Sequence, residues 1–100
     1  MIKAGEFELD TRHRILCGPF GDTQLSPKQA ALVELFMRYS GRPVSRRTIM
    51  SEVWETSYLG DTRTLEVHVC RLRKTIEPDP NSPRYLCTMR GVGYVFYASV

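Results

Sequence analysis

The stretch "TLEVHVCRLRKTIEP", residues 64–78, decides how this chain is read. Its apolar residues Leu65, Val69, Leu72 and Ile76 recur at steps of four, three and four, which on an α-helix lines them along one side. That side is a core face. The opposite side carries Arg63, Val67, Cys70, Arg71 and Lys74, a mostly basic surface interrupted by a β-branched residue with little affinity for water. A solvated face explains the charges but not the valine.

Working outward, "SPKQAALVELFMRYSG" predicts a helix over about 27–40. Ser26 and Gln29 form a capping box, Pro27 takes the first helical position and Gly41 can close the end. In "PVSRRTIMSEVW", Ser45 is an N-cap and Ile49, Met50, Val53 and Trp54 follow at helical spacing, so a second, shorter helix is expected. The polar, glycine-containing "ETSYLGD" interrupts the periodicity. Asp61 or Thr62 then caps a third helix that runs to about Ile76, before Pro78 and the patch "PDPNSP" end it. Upstream, residues 1–25 alternate short apolar patches with turn material such as Asp10-Thr11 and "GPFGD", as three or four short antiparallel strands would. Downstream, "RYLCTMRGVGYVFYASV" alternates on both sides of a glycine-rich tip, the pattern of a β-hairpin turning near Arg90 to Gly93.

The fold class expected is α+β: an N-terminal antiparallel sheet, three helices, and a C-terminal hairpin. A short helix, then a long one with a basic outer face, then a hairpin with an arginine at its tip, is the outline of a winged helix-turn-helix. With 100 residues, 42% of them hydrophobic and 25% charged, a single domain spanning residues 1–100 is expected. No apolar run is long enough to cross a bilayer, and "MIKAGEFELD" lacks the basic start and apolar centre of a signal peptide, so the expected location is cytoplasmic, with no membrane partner. Cys17, Cys70 and Cys87 are odd in number and widely spaced, which fits reduced thiols. The net charge of +3 is concentrated. From Arg42 to Lys74 the bases are Arg42, Arg46, Arg47, Arg63, Arg71, Arg73 and Lys74, against Glu52, Glu55, Asp61 and Glu66, and this accounts for the whole excess.

"DTRTLEVHVCRLRKTIEP" and "YLCTMRGVGYVFY" closely resemble the C-terminal DNA-binding effector domain of OmpR/PhoB-type response regulators, and "LSPKQAALVELFM" resembles that family's first helix. The resemblance covers nearly the whole chain, with two long motifs in the right order and at the right distance. It implies sequence-specific binding of double-stranded DNA by a two-component regulator of transcription, with the third helix in the major groove and the hairpin wing in the minor groove. Head-to-tail pairing on direct repeats is implied as well. So is a phosphorylatable receiver domain, absent from these residues, through which a sensor histidine kinase would act; the chain is then an excised domain or a stand-alone member. In the family the loop at residues 55–61 can touch RNA polymerase.

DNA gives the third helix's outer face a joint explanation, because guanine edges accept paired hydrogen bonds from arginine and thymine methyls suit a valine. The resemblance makes Arg71 the base-reading arginine and places Arg63, His68 and Arg73 near phosphates; Lys74 and Val67 share the exposed face. Cys70 stands where relatives often carry a basic or polar residue. On the helical wheel Arg73 lies nearer Glu66 and Glu77, so a local salt bridge is its alternative role. In the wing, Arg90 would enter the minor groove, whose negative potential attracts arginine, while Thr88 and Tyr94 would touch phosphates; core packing is the alternative for Tyr94. Trp54 is core by type, yet the matching family position reaches a phosphate through its indole N–H. Arg46 and Arg47 oppose the dipole of the second helix in its first turn, a mild cost that points to an anionic partner.

Two other classes of function compare with this one. A winged-helix module using the same surface for a protein partner would suit the exposed Val67 and Cys70. An enzyme would need paired carboxylates, a nucleophile with its base, or a metal cluster, and none can be assembled here. His68 and Cys70, two apart on a helix, cannot face a shared metal, and no cofactor is expected.

Overall fold

The computed structural model describes residues 1–55 and 63–99. Four short strands come first: β1 (Ile2–Ala4), β2 (Phe7–Asp10), β3 (Ile15–Gly18) and β4 (Gly21–Gln24). They pair in chain order as an antiparallel meander. The β2–β3 and β3–β4 turns are made by the residues expected to make them, and the β1–β2 turn falls at Gly5-Glu6. The Asp10 carboxylate accepts the Arg12 and His13 N–H groups, and Gly18 pairs with Gly21 around the tight Pro19-Phe20 tip. Phe7, Leu9 and Leu16 point to one side of this sheet and are buried.

The first helix, α1 (Pro27–Arg38), opens with the reciprocal capping box of Ser26 and Gln29. It ends at Tyr39, and Gly41 then takes a φ of 81°, a left-handed conformation that suits glycine. Its N–H donates to Phe96 O and turns the chain into β5 (Pro43–Ser45). This strand was not expected, because three residues that include a proline and a serine carry no alternation. Pairing with the C-terminal hairpin creates it. Ser45 then caps α2 (Arg46–Trp54) by accepting the Thr48 N–H at 3.1 Å. The helix closes on Glu55, a non-glycine residue at φ 53°.

The stretch with the apolar stripe forms α3 (Arg63–Ile76), whose expected caps Asp61 and Thr62 lie outside the described residues. Leu65, Val69, Leu72 and Ile76 are all buried, as their spacing requires. Fully burying one such aliphatic side chain is worth about 1.5–3 kcal/mol, so this stripe is the main reason that α3 docks on the core. Beyond it, Glu77 is buried at 6% exposure, yet its carboxylate accepts the backbone N–H groups of Arg84, Tyr85 and Leu86 at 2.7–3.1 Å. That latch joins the end of α3 to β6 (Leu86–Met89).

The hairpin of β6 and β7 (Gly93–Phe96) turns at Arg90–Val92, with Gly91 at φ 81°. The second sheet has the order β5-β7-β6. Gly93 is obligatory here for a packing reason, since a Cβ would run into Val44 O and crowd the backbone N of Arg46. The wing strand therefore lies directly against the start of α2. Phe7 closes the far side of the core, edge-on to Tyr85 with ring centroids 4.9 Å apart.

Candidate nucleic-acid interface

With one stripe of α3 buried, geometry fixes what the other side presents. Arg63, Glu66, Val67, Cys70, Arg71 and Lys74 are exposed, and Val67 keeps 45% of its surface in solvent. Arg63, Thr64, Val67, His68 and Arg71 line an open depression along the helix. The basic face and its lone valine thus stand on one rigid cylinder, as expected. Cys70 is a free, exposed thiol on the same face.

His68 sits at the edge of this face and is half-buried, its ring 5.5 Å from that of Trp54 at the end of α2. Its Nδ1 is buried with no hydrogen-bond partner. Burial, then the nearby positive charges of Arg71 and Lys28, hold the imidazole below its ordinary pKa. Lys28 is anchored here because its ammonium donates to Val53 O at 2.9 Å. Trp54, expected as core or as a phosphate contact, is half-buried and packs both against the core and on His68.

The wing brings a second set of residues beside α3. Arg90 is exposed in the turn and Val92 next to it is 45% exposed. Thr88 is exposed on β6 and accepts a hydrogen bond from Arg73 Nη2 at 2.9 Å, while Arg73 Nε donates to Leu86 O at 2.9 Å. The alternative of a salt bridge from Arg73 to Glu77 is not realised, because Glu77 is occupied by backbone N–H groups and Arg73 reaches across to the wing instead.

Tyr94, expected as a phosphate contact or as core packing, lies in the core. It is 3% exposed, packs edge-on against Phe36, and carries the guanidinium groups of Arg46 and Arg73 near its ring. Burial follows from the register, since Tyr94 pairs with Val44 on one side and Thr88 on the other in the centre of the sheet. Arg46, noted in the sequence only for opposing the helix dipole, thereby joins this surface, and Arg47 beside it is exposed. The loop expected to touch RNA polymerase falls, apart from Glu55, outside the described residues.

Residues 21–96 match the family described as "Transcriptional regulatory protein, C terminal". The chain belongs to this family, the C-terminal DNA-binding domains of OmpR/PhoB-type response regulators. It is 42% identical over 95 residues to the sensory transduction protein RegX3 of Mycobacterium tuberculosis, covering 94% of this chain and 41% of that protein. It is 46% identical over 70 residues to the alkaline phosphatase synthesis transcriptional regulatory protein SphR of Synechococcus elongatus, covering 70% of this chain and 27% of SphR. This domain thus spans less than half the length of the curated relatives it matches. Among solved structures, the Klebsiella pneumoniae RstA DNA-binding domain, determined in complex with the RstA box, superposes with a TM-score of 0.84 at 23% identity, covering 97% of this chain and 96% of RstA's. That likeness establishes the winged-helix fold. The family is one of DNA-binding transcriptional regulators, which is not an enzyme class.

Proposed function

We propose that this OmpR/PhoB-type domain reads double-stranded DNA with α3 in the major groove and the β6–β7 wing in the adjacent minor groove. The observation that carries the reading is the exposed face of α3, where Arg63, Val67, Arg71 and Lys74 stand together beside a wing tipped by Arg90. Arg71, central on that face, bonds a guanine edge, and Val67 meets a thymine methyl. Arg47, Trp54, Arg63, His68, Arg73, Lys74 and Thr88 border the face and lie along the phosphate backbones, and Arg90 enters the minor groove.

The domain acts by binding, not by catalysis, and serves as the output half of a two-component regulator. A receiver domain phosphorylated by a sensor histidine kinase controls it, two copies bind direct repeats head-to-tail, and residues 55–61 face RNA polymerase. The family membership supports this assignment.

The exposure of Val67 and of Cys70 favours one competing reading, a protein partner on the same face. Titration against mixed-sequence duplex DNA at several salt concentrations separates the two. Log affinity falling steeply and linearly with log salt supports phosphate contacts, and salt-insensitive or absent binding refutes the DNA reading.

A further inference from the structure

Val67 and Cys70 set one part of the exposed α3 face apart from the rest. Val67 keeps 45% of its surface in solvent, and Cys70 is an exposed free thiol. Three residues apart on one helix, they are neighbours, with a rise of about 4.5 Å between them and Cβ atoms about 5–6 Å apart. A free cysteine packs as a small hydrophobic group whose S–H is only a weak donor. The two side chains therefore form a short apolar ridge.

Cations surround that ridge. Arg63 precedes Val67 by one turn, Arg71 follows Val67 by one turn, and Lys74 follows Cys70 by one turn. A single exposed apolar residue on a surface is ordinary. Two adjacent ones, on the face that the fold leaves open and that its charges direct toward a polyanion, ask for an apolar partner inside a polar site. Neither side chain carries a charge or a strong donor, so a phosphate is not that partner. The major groove displays one apolar group, the C5-methyl of thymine. Successive bases on a strand lie about 3.4 Å apart along the axis, so a ridge of this length reaches two neighbouring pairs.

We propose that Cys70 is a specificity-determining residue which, with Val67, forms an apolar ridge on α3 contacting the methyl groups of two neighbouring thymines in the major groove. The inference deepens the DNA-binding reading and rests on it. Cys70 acts through the packing of its sulfur, and its exposure is then a feature of base reading and not of a protein partner.

The test starts from a site that the wild-type domain selects from random DNA, with each thymine replaced in turn by deoxyuridine, which deletes the methyl and keeps the hydrogen-bonding edge. Two neighbouring replacements should each weaken wild-type binding about fourfold, the effect of one buried methyl group. Cys70→Ser puts a hydroxyl where the sulfur was and should become indifferent to one of the two, while Val67→Ala should become indifferent to the other. Cys70→Val should stay sensitive to both. Cys70 is exposed and its replacement leaves the buried stripe untouched, so thermal melting should show these variants folded. The slope of log affinity on log salt should match the wild type in Cys70→Ser, because no phosphate contact is lost. A selected site without such a thymine pair, or a Cys70→Ser variant sensitive to both replacements, overturns the ridge. A lower salt slope in Cys70→Ser overturns it by making Cys70 a backbone contact, and a Cys70→Val variant as indifferent as Cys70→Ser overturns the apolar contact in favour of the thiol itself. Wild-type protein that selects no site and binds without salt dependence overturns the DNA reading, whereas a selected site and a steep salt slope without methyl dependence overturn this inference alone.

Discussion

Replacing Arg71 by alanine removes the central side chain of the exposed α3 face while leaving the fold alone. Arg71 is exposed and stands opposite the buried stripe of Leu65, Val69, Leu72 and Ile76. Its carbonyl, which accepts the Thr75 hydroxyl at 3.3 Å, survives the substitution. The change in folding stability should therefore stay within about 0.5 kcal/mol, the usual range for a surface site. Its effect on binding depends on what the side chain touches. A bidentate contact to guanine is worth about 1–3 kcal/mol of discrimination, so affinity for the preferred site should fall by about 5- to 150-fold while affinity for a scrambled duplex hardly changes. A phosphate contact would instead weaken both duplexes alike and lower the salt slope by about one. The expected outcome is the first, because Arg63 and Lys74 occupy the ends of the face and Arg71 its middle. The assay is a titration of Arg71→Ala against a site selected from random DNA and its scrambled version at several salt concentrations, with thermal melting as the control. Unchanged discrimination refutes base reading by Arg71, and unchanged affinity for both duplexes refutes the placement of α3 in the major groove. NMR titration adds an internal check. Arg71 is the largest charge effect holding His68 below the ordinary value of 6.5, so the variant's imidazole pKa should rise part of the way back.

Arg90→Ala should weaken binding mainly where the flanking sequence is A·T-rich, since a narrow minor groove is what an inserted arginine senses. Footprints on sites with A·T and G·C flanks check this, and equal losses would count against wing insertion. Glu77→Ala strips three buried backbone N–H groups of their acceptor and should cost about 3 kcal/mol or more, a fall in Tm of more than about 10 °C. Melting by circular dichroism measures it, and a change of a degree or two would show the latch to be dispensable. His68 has a depressed pKa, so the unfolded chain takes up its proton first as pH falls. Its contribution to stability is complete above about 6.5 and is lost below that value. Urea unfolding between about pH 7.5 and 5.5 should show a stability loss that is smaller in His68→Phe, and identical pH profiles would exclude the effect.

The helices were legible because their signals are local. A capping box at Ser26 and Gln29, an N-cap at Ser45, and the apolar stripe from Leu65 to Ile76 each lie within one or two turns of chain, and each appears in the structure as read. The hairpin was legible for a similar reason, with its strands separated by a short turn that needs Gly91 at positive φ. Strand β5 was not, since Pro43-Val44-Ser45 becomes a strand only by pairing with residues 93–95, about fifty positions later. No local pattern carries that information.

The same division runs through the candidate site. The exposed face of α3 follows from helical periodicity once the buried stripe is known, so Arg63, Val67, Arg71 and Lys74 could be grouped from sequence. Arg73 could not be placed in that way, because the wheel sets it near Glu77, while the fold brings β6 within reach and engages Glu77 with the backbone of residues 84–86. Both changes tie α3 to the wing: Arg73 holds Leu86 and Thr88, and Glu77 holds the residues leading into β6. These bonds join the start and the middle of β6 to successive turns of one helix, so the wing cannot swing away from α3 without breaking charge-assisted hydrogen bonds, those of Glu77 to Tyr85 and Leu86 buried. A helix and a hairpin fixed in this way present Arg71 and Arg90 at a set separation. On the proposed reading, contacts to adjacent grooves need no rearrangement when the domain meets DNA, and binding should shift the backbone resonances of α3 and the wing together rather than one after the other.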